Sequence, residues 1–270
     1  MSNSFFHFKQ FSIRQDRCAM KVGTDGVLLG AWVEVCLCDA SGRFVPDACV
    51  GRVSQIAAPN AGIGHASHIV APAMLDVGTG TGLIALMIAQ RNRDAVIDAI
   101  EIDREASRQA IENVENSVFK DRIRVLQQSF FEFTSGRKYD LIISNPPFFM
   151  NDLRCPDKKR NMARHNDSLP LKQLIGHAIP FLTENGRIAL ILPALLSDEL
   201  DFIIATHHLF VRRRTDVMTV EGDPPKRFLT EITVKRPPEQ EYRHDTLVLE
   251  TKEHERTAQY RLLTKDFYIQ

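Results

Sequence analysis

The chain has 270 residues, of which 44% are hydrophobic and 25% charged, and its 34 basic and 34 acidic side chains give a formal net charge of zero. This is the composition of a soluble globular protein with one substantial core, and the balanced charge gives no overall signal for nucleic acid. No apolar run approaches the roughly 18 residues of a membrane span, and the first residues lack the layout of a signal peptide, so we expect a cytoplasmic protein without membrane contacts. The five cysteines are expected to be reduced thiols.

Residues 1–33 are predicted to form an N-terminal extension. Aromatic residues alternate near its start, which indicates a short strand, and a helix is expected from Val27 to Trp32. The polar turn Gly23-Thr24-Asp25-Gly26 precedes that helix. Such a turn exposes backbone N–H groups and lets a ligand approach closely.

Residues 34–72 have weak periodicity and many small residues, and we interpret them as an inserted loop. They contain side-chain types that bind zinc, namely Cys36, Cys38, Cys49, His65 and His68. Their spacing is not that of a standard zinc finger, and we predict no metal site.

Residues 73–236 alternate between strand and helix patterns. Strands are predicted at 73–77, 96–102, 122–126, 139–144 and 187–193, and helices at 82–91, 104–117, 169–182 and 197–208. Two further strands, at 209–220 and 228–234, are expected to form a hairpin that closes the sheet. These units predict an α/β fold with a mostly parallel, seven-stranded sheet, helices on both faces and ligands at the carboxyl ends of the strands. Residues 237–270 are expected to be a C-terminal extension packed on this core.

Three glycines with one residue between each follow the first core strand. Gly78 and Gly80 permit a tight turn against a ligand, and Gly82 is expected to let the next helix pack near the strand. The spacing is Gly-x-Gly-x-Gly, not that of a pyrophosphate loop, and it favours a nucleoside ligand without a diphosphate. Asp76, just before the glycines, would repel phosphate and could hold a cationic amine.

Polar residues also follow the next two strands. Glu101 ends the second core strand, where a carboxylate can accept hydrogen bonds from two ribose hydroxyls, whereas Asp103 is explained as a helix opener. Ser129 follows the third strand and is expected on the adenine side of the ligand. These positions extend the predicted nucleoside site along the sheet.

A rigid loop, Asn145-Pro146-Pro147-Phe148, ends the fourth core strand. Each proline fixes its own φ and lacks an N–H, so the loop has a set shape and offers acceptors. The Asn145 side-chain oxygen and the Pro146 carbonyl can accept both hydrogens of a planar amine, and Phe148 can stack on a flat ring. The loop therefore predicts a pocket for an exocyclic amine, although Asn-Pro-Pro alone is also a common strand-to-loop turn.

Taken together, these motifs resemble the class I S-adenosylmethionine-dependent methyltransferases, which have a Rossmann-like fold, and among them the enzymes that methylate planar amine nitrogens. The flanking stretches Lys21-Val-Gly-Thr-Asp-Gly, Ala163-Arg-His165 and Pro224-Pro-Lys-Arg-Phe-Leu229 narrow the resemblance. They are similar to the bacterial family that methylates N6 of adenine 37, beside the anticodon of a valine tRNA. Residues 34–72 are longer than this family leads us to expect.

The resemblance implies S-adenosylmethionine as cofactor and direct methyl transfer to adenine N6, with Asn145, Pro146, Pro147 and Phe148 as the catalytic loop. It implies that Lys21, Gly23, Thr24 and Asp25 cover the methionine end of the cofactor, which Asn145 also contacts. The tRNA anticodon loop, the expected partner, would meet Phe148, Arg164, His165, Lys226 and Arg227, and the enzyme is expected to be a monomer.

Four alternatives stay open from the residues alone. They are a methyltransferase acting on a glutamine of a translation factor, an rRNA adenine or guanine methyltransferase, a dinucleotide-dependent oxidoreductase, and a noncatalytic RNA-binding module. The glycine spacing disfavours the oxidoreductase, and the intact Asn-Pro-Pro-Phe loop disfavours the noncatalytic module.

Overall fold

The computed structural model describes residues 4–18, 20–35, 71–147 and 170–269, and each structural statement below concerns those residues. Several predicted positions lie outside them: Phe148, Arg164 and His165 of the candidate site, and Cys36, Cys38, Cys49, His65 and His68 of the inserted loop. Within the described ranges, no helix has the length and apolar character needed to cross a membrane.

The described residues form ten strands and six α-helices. The strands are β1 Phe5–His7, β2 Ser12–Arg14, β3 Ala73–Val77, β4 Val96–Glu101, β5 Ile123–Gln127, β6 Tyr139–Ser144, β7 Leu182–Pro193, β8 Phe210–Val220, β9 Arg227–Thr233 and β10 Arg243–Glu250. The helices are α1 Thr24–Trp32, α2 Leu83–Arg91, α3 Arg104–Glu115, α4 Leu171–Ala178, α5 Ser197–Thr206 and α6 Ala258–Thr264. Strands and helices alternate from α1 to β5 and from β6 to β8.

The main sheet has the strand order β10-β8-β9-β7-β6-β3-β4-β5. Strand β9 is antiparallel to both of its neighbours, and every other pairing in this sheet is parallel. The predicted α/β class and the β8–β9 hairpin are confirmed. The sheet has eight strands and not seven, because β10, in the segment interpreted as an extension, pairs in parallel with β8.

Hydrophobic cores lie on both faces of the sheet. One contains residues of α1, α2 and α6, including Trp32, Met87 and Tyr260, and the other contains residues of α4 and α5, including Leu174 and Ile203. Strand β3 is buried over its whole length, as expected for a parallel strand covered on both faces. The carboxyl ends of the parallel strands consequently meet at one edge, where the candidate site lies.

The two ends of the chain also meet. Strands β1 and β2 form a hairpin, Phe8 bridges to Tyr268, and the Lys9 backbone N–H donates to the Phe267 carbonyl at 2.8 Å. The segment after β10 thereby packs beside the N-terminal extension.

Candidate active site

A cavity of about 430 Å³ lies at the carboxyl edge of the sheet. Its lining comes from the segment before α1, the glycine loop after β3, the end of β6, and the ends of β8 and β10. The lining residues are Met20, Lys21, Val22, Gly23, Thr24, Asp25, Gly26, Gly78, Thr79, Gly80, Thr81, Leu83, Ile84, Asn145, Thr219, Arg227, Leu249, Glu250 and Arg256. The structure therefore brings the predicted glycine loop, the N-terminal turn and Asn145 to one space.

The glycine loop turns through left-handed backbone conformations. Gly78, Gly80 and Gly82 have φ values of 72°, 57° and 83°, which favour glycine, and the Gly78 N–H donates to the Ile100 carbonyl at 2.8 Å. Gly78 and Gly80 line the cavity as predicted. Gly82 does not line the cavity. A Cβ there would lie 3.6 Å from Ala110, so the start of α2 lies next to α3 at this glycine and not next to the strand.

Asp76 lies beneath this loop with no exposed surface. Its Oδ2 accepts hydrogen bonds from the Thr79 hydroxyl at 2.6 Å and from the Ala85 N–H at 3.2 Å, which ties the loop to the first turn of α2. Burial raises the pKa of Asp76 to about 7. Its Oδ1 has no hydrogen-bond partner among the described residues, so one acceptor there is unused.

Glu101 holds the other side of the loop. Its two carboxylate oxygens accept from the Gly80 N–H at 2.8 Å and from the Asp103 N–H at 2.9 Å. Asp103 itself caps α3 by accepting from the Ala106 N–H, in line with its interpretation as a helix opener. Glu101 is thus held next to Gly80, which lines the cavity.

Ser129 follows β5 but is not among the cavity-lining residues. Its hydroxyl oxygen accepts from the Phe131 N–H at 3.2 Å and caps a single 3₁₀ turn, 130–132. The structure therefore gives Ser129 a local capping contact, and its predicted place beside an adenine stays a prediction.

Asn145 reaches the cavity directly from the end of β6. The strand end is fixed because the Ser144 hydroxyl donates to the Val77 carbonyl of β3 at 2.7 Å. On the α1 side, Gly26 lies next to the amide: a Cβ placed there would be in van der Waals contact with Asn145 Nδ2 at 3.9 Å and would crowd Leu83 Cδ2 at 3.1 Å. Pro146 and Pro147 continue the chain but do not line the cavity.

The N-terminal turn meets the β8–β9 hairpin across the cavity. Lys21, Gly23, Thr24 and Asp25 all line it, and the Asp25 carboxylate pairs with the Arg227 guanidinium at 2.5 Å. A residue predicted to bind the cofactor therefore forms an ion pair with a residue predicted to bind RNA. Lys226, the neighbouring candidate, is exposed and does not line the cavity.

Sequence reasoning missed one part of the lining, the residues Thr219, Leu249, Glu250 and Arg256. They come from β8, β10 and the turn after β10. No motif marks them, since they join the cavity through long-range strand pairing. The one available signal was the clustering of charges in the polar C-terminal segment.

Comparisons with known proteins agree with this geometry. A family model described as "Methyltransferase small domain" matches residues 65–199. A protein of Bacteroides thetaiotaomicron, named tRNA1(Val) (adenine(37)-N6)-methyltransferase, is 39% identical and covers 100% of this chain and 99% of its own. A Trichodesmium erythraeum protein of the same name is 41% identical with the same coverage.

Among solved structures, a predicted O-methyltransferase from Agrobacterium tumefaciens matches with a TM-score of 0.58 at 17% identity, covering 90% of this chain and 96% of its own. At that identity the match supports the fold class alone.

Proposed function

The chain belongs to the tRNA1(Val) (adenine(37)-N6)-methyltransferase family, and from this membership we propose that it transfers a methyl group from S-adenosylmethionine to the exocyclic N6 of adenine 37 in the anticodon loop of a valine tRNA. The observation that carries the proposal is that Asn145 and the glycine loop line one cavity. An amine held by Asn145 therefore faces the space in which a nucleoside cofactor fits.

The described residues fit S-adenosylmethionine, which supplies an electrophilic methyl group on a sulfonium when bound. The left-handed Gly78 and Gly80 leave backbone open to a ligand. Asp76 is fully buried and does not line the cavity, so its part is to shape the glycine loop through Thr79 and Ala85. Glu101 uses one hydrogen bond on each carboxylate oxygen and keeps lone pairs for ribose hydroxyls. Lys21, Gly23, Thr24 and Asp25 hold the methionine end, and Gly82 and Ser129 support the loop and the adenine side.

At the amine, the loop at the end of β6 orients the nucleophile. The N6 lone pair of adenine is delocalised into the ring, so the enzyme must hold the amine in a productive geometry and stabilise the positive charge that develops on it. The Asn145 side-chain oxygen and the Pro146 carbonyl accept its two hydrogens. Pro147 fixes the backbone, and Phe148 stacks on the base. The N–CH3 bond would form as the S–CH3 bond breaks, which leaves S-adenosylhomocysteine. The methylated amine would then carry a positive charge and lose one proton to solvent, so no strong general base is required for this step.

The RNA contacts are proposed on the resemblance and on charge. An anticodon loop presents unpaired bases that can be turned outward, while basic side chains hold the phosphates. Arg164, His165 and Lys226 are proposed to contact that backbone, together with Arg227. We place the enzyme in the cytoplasm as a monomer, with residues 73–236 as the methyltransferase core between the N-terminal extension, the 34–72 insertion and the C-terminal extension.

The test is transfer of labelled methyl from S-adenosylmethionine into bulk tRNA that lacks its own N6-methyladenosine, followed by digestion to nucleosides. Asn145→Ala removes the amine acceptor and should lower the rate by about 10² or more. Asn116→Ala is a matched control, because the Asn116 amide donates to the Glu112 carbonyl at the end of α3, away from the cavity. Its rate should equal that of the wild type.

Label in N6-methyladenosine that depends on Asn145 would support the proposal. Label in rRNA or in a protein glutamine, with tRNA unlabelled, would keep the amine pocket and refute the tRNA assignment. Absence of transfer to all three substrates would refute the enzymatic function.

A further inference from the structure

The cavity has a second wall, formed by the C-terminal segment. Leu249 and Glu250 end β10, and Arg256 follows the tight turn after it. The turn is closed by an antiparallel bridge between Glu250 and Arg256 and by the Thr251 N–H, which donates to the Glu255 carbonyl at 2.8 Å. The backbone of Arg256 is therefore fixed at the edge of the cavity.

Arg256 is held by two partners. Its Nη1 donates to Glu250 Oε1 at 2.9 Å, and its guanidinium lies 4.7 Å from the centre of the Tyr260 ring. Its side chain is 43% exposed. A guanidinium has five N–H donors in a planar fork, so Arg256 is oriented by Glu250 and Tyr260 and retains donors for a ligand.

The charges of the lining favour an anion. The cavity is lined by three cations, Lys21, Arg227 and Arg256, and by two carboxylates. Both carboxylates are engaged, Asp25 by Arg227 and Glu250 by Arg256. The cations of the lining outnumber its carboxylates by one, so the cavity as a whole favours a ligand that carries negative charge.

The sheet order shows which ligand this wall faces. The glycine loop and Glu101 follow β3 and β4, on one side of β6, whereas Thr219, Arg227, Glu250 and Arg256 belong to β8, β9 and β10, on the other side. Asn145 at the end of β6 lies between them. The cofactor has its nucleoside on the β3 side and its methionine end, with the methionine carboxylate, at the turn that contains Lys21. With the amine at Asn145, the anion left for the side towards β10 is the phosphate of the target nucleotide.

We infer that the Glu250–Arg256 pair is a phosphate-binding element, in which Arg256 binds the RNA backbone beside the target adenosine and Glu250 holds the guanidinium in place. The inference rests on the proposed function and adds the C-terminal segment to the RNA-binding surface. Arginine suits this task because its fork binds two phosphate oxygens at once.

The test compares the full-length protein with Arg256→Ala in two binding measurements. Binding of tRNA at several salt concentrations should weaken about tenfold, and the slope of log K against log[salt] should fall by about 0.7, the value for one phosphate of a single strand that is no longer neutralised. Affinity for S-adenosylmethionine, measured by calorimetry, should stay within about twofold. Arg256→Lys should keep the salt slope and recover part of the affinity, because it keeps the charge without the fork.

Two further variants sharpen the test. Arg261→Ala is the matched control, since Arg261 lies on α6, outside the cavity, with a side chain that is 64% exposed; it should leave tRNA affinity and the salt slope unchanged. Glu250→Gln keeps an oxygen that accepts from the Arg256 N–H and removes the negative charge beside the phosphate, so it should tighten tRNA binding. Thermal unfolding of each variant checks that the fold is intact.

An unchanged salt slope in Arg256→Ala would overturn the inference, and so would a loss of cofactor affinity with tRNA binding intact. Failure of the proposed function is distinguishable, because it requires that wild-type protein does not methylate tRNA. A wild-type enzyme that methylates tRNA together with an Arg256→Ala variant of unchanged tRNA affinity would refute this inference alone.

Discussion

At the scale of single residues, Asp76 shapes the glycine loop and is also a buried carboxyl group, whose ionised form is unfavourable. It is fully buried in β3, and it accepts from Thr79 and Ala85 to shape the glycine loop. Burial disfavours its ionised form and raises its pKa from the ordinary value of 3.8 to about 7. The residue that organises the cofactor loop is therefore a source of pH-dependent stability.

Asp76→Asn tests this coupling. Between about pH 4 and 7 the folded chain holds a proton that the unfolded chain has released, so Asp76 makes stability fall as pH rises through that window. The neutral amide cannot titrate. Urea titrations measure the free energy of unfolding of both proteins. The value for Asp76→Asn minus the value for the wild type should therefore be about 2 to 3 kcal/mol larger at pH 8 than at pH 5, which means that the variant gains stability relative to the wild type as the pH rises.

Asp198→Asn serves as the control for that experiment, because Asp198 is an exposed carboxylate in the first turn of α5. Its effect on stability should be small at both pH values. If Asp76→Asn also shifted stability equally at pH 5 and pH 8, burial would not control the ionisation of Asp76.

At the scale of elements, α1 and α2 pack closely because α1 carries glycine where the two helices meet. A Cβ on Gly30 would lie 2.7 Å from Met87 Sδ and 3.1 Å from Met87 Cβ. The N-terminus of α1 lines the cavity, and α2 follows the glycine loop. The spacing of these two helices therefore sets the distance between the two predicted cofactor-binding segments.

Gly30→Ala should destabilise the protein by about 1 to 2 kcal/mol, since overpacking against Met87 outweighs the gain in helix propensity. Gly136→Ala is a matched control, because a Cβ there meets nothing within 4 Å, and its effect should lie within about 0.5 kcal/mol of zero. Denaturant unfolding measures both. A Gly30→Ala protein as stable as wild type would show that the two helices can separate without cost.

Local sequence patterns predicted some elements well and others poorly, for physical reasons. The bounds of β3 and β6 are confirmed, since each is an apolar run cut off by glycine or by Asn-Pro. Strand β7 begins at Leu182, five residues before the prediction, because Leu182 already pairs with Tyr139 of β6. Residues 183–186 form an irregularity in the pairing before Arg187 pairs with Leu141, and a Cβ on Gly186 would lie 2.7 Å from the Tyr139 carbonyl oxygen. The helix predicted over 169–182 ends as α4 at Ala178, before Pro180.

The eighth strand and part of the site were missed for one shared reason. The first four residues of β10, 243–246, are exposed at the edge of the sheet, so they lack apolar alternation. Glu250 and Arg256 enter the cavity only through the pairing of β10 with β8, which no local motif encodes. By contrast, Asn145, Gly78 and Gly80 could be predicted, because they belong to local motifs, Asn-Pro-Pro and Gly-x-Gly-x-Gly. Such motifs can be recognised without knowing how the strands pair.

At the scale of the whole molecule, a buried ionic cluster joins segments that are distant in sequence. Arg212 of β8 pairs with Glu231 of β9 at 2.6 Å and with Glu34, just after α1, at 2.7 Å. The Glu34 N–H also donates to Glu231 Oε1 at 3.1 Å. The cluster thereby fixes the C-terminal end of α1 to the hairpin, while Asp25 and Arg227 fix its N-terminal region at the cavity.

The pKa of Glu231 shows that the arginines of the cluster compensate for the burial of this carboxylate. Complete burial alone would raise this pKa, but the attraction of Arg187 and Arg212 outweighs burial and lowers it. Glu231 therefore stays ionised in the folded chain at neutral pH. Its contribution to stability is present above its ordinary pKa and is lost as the pH falls through the lower value of the folded state.

Glu231→Gln should consequently destabilise the whole protein by about 3 to 5 kcal/mol at pH 7, because it leaves the buried Arg212 without its closest counter-charge. Glu184→Gln is the control: Glu184 pairs with Lys235 at the surface, with side chains 75% and 55% exposed, and the loss of this exposed pair should have little effect on stability. Unfolding in urea at pH 7 measures both variants. Equal costs would mean that the buried cluster is no stronger than a surface ion pair, and that packing of α1 alone holds the N-terminal segment against the sheet.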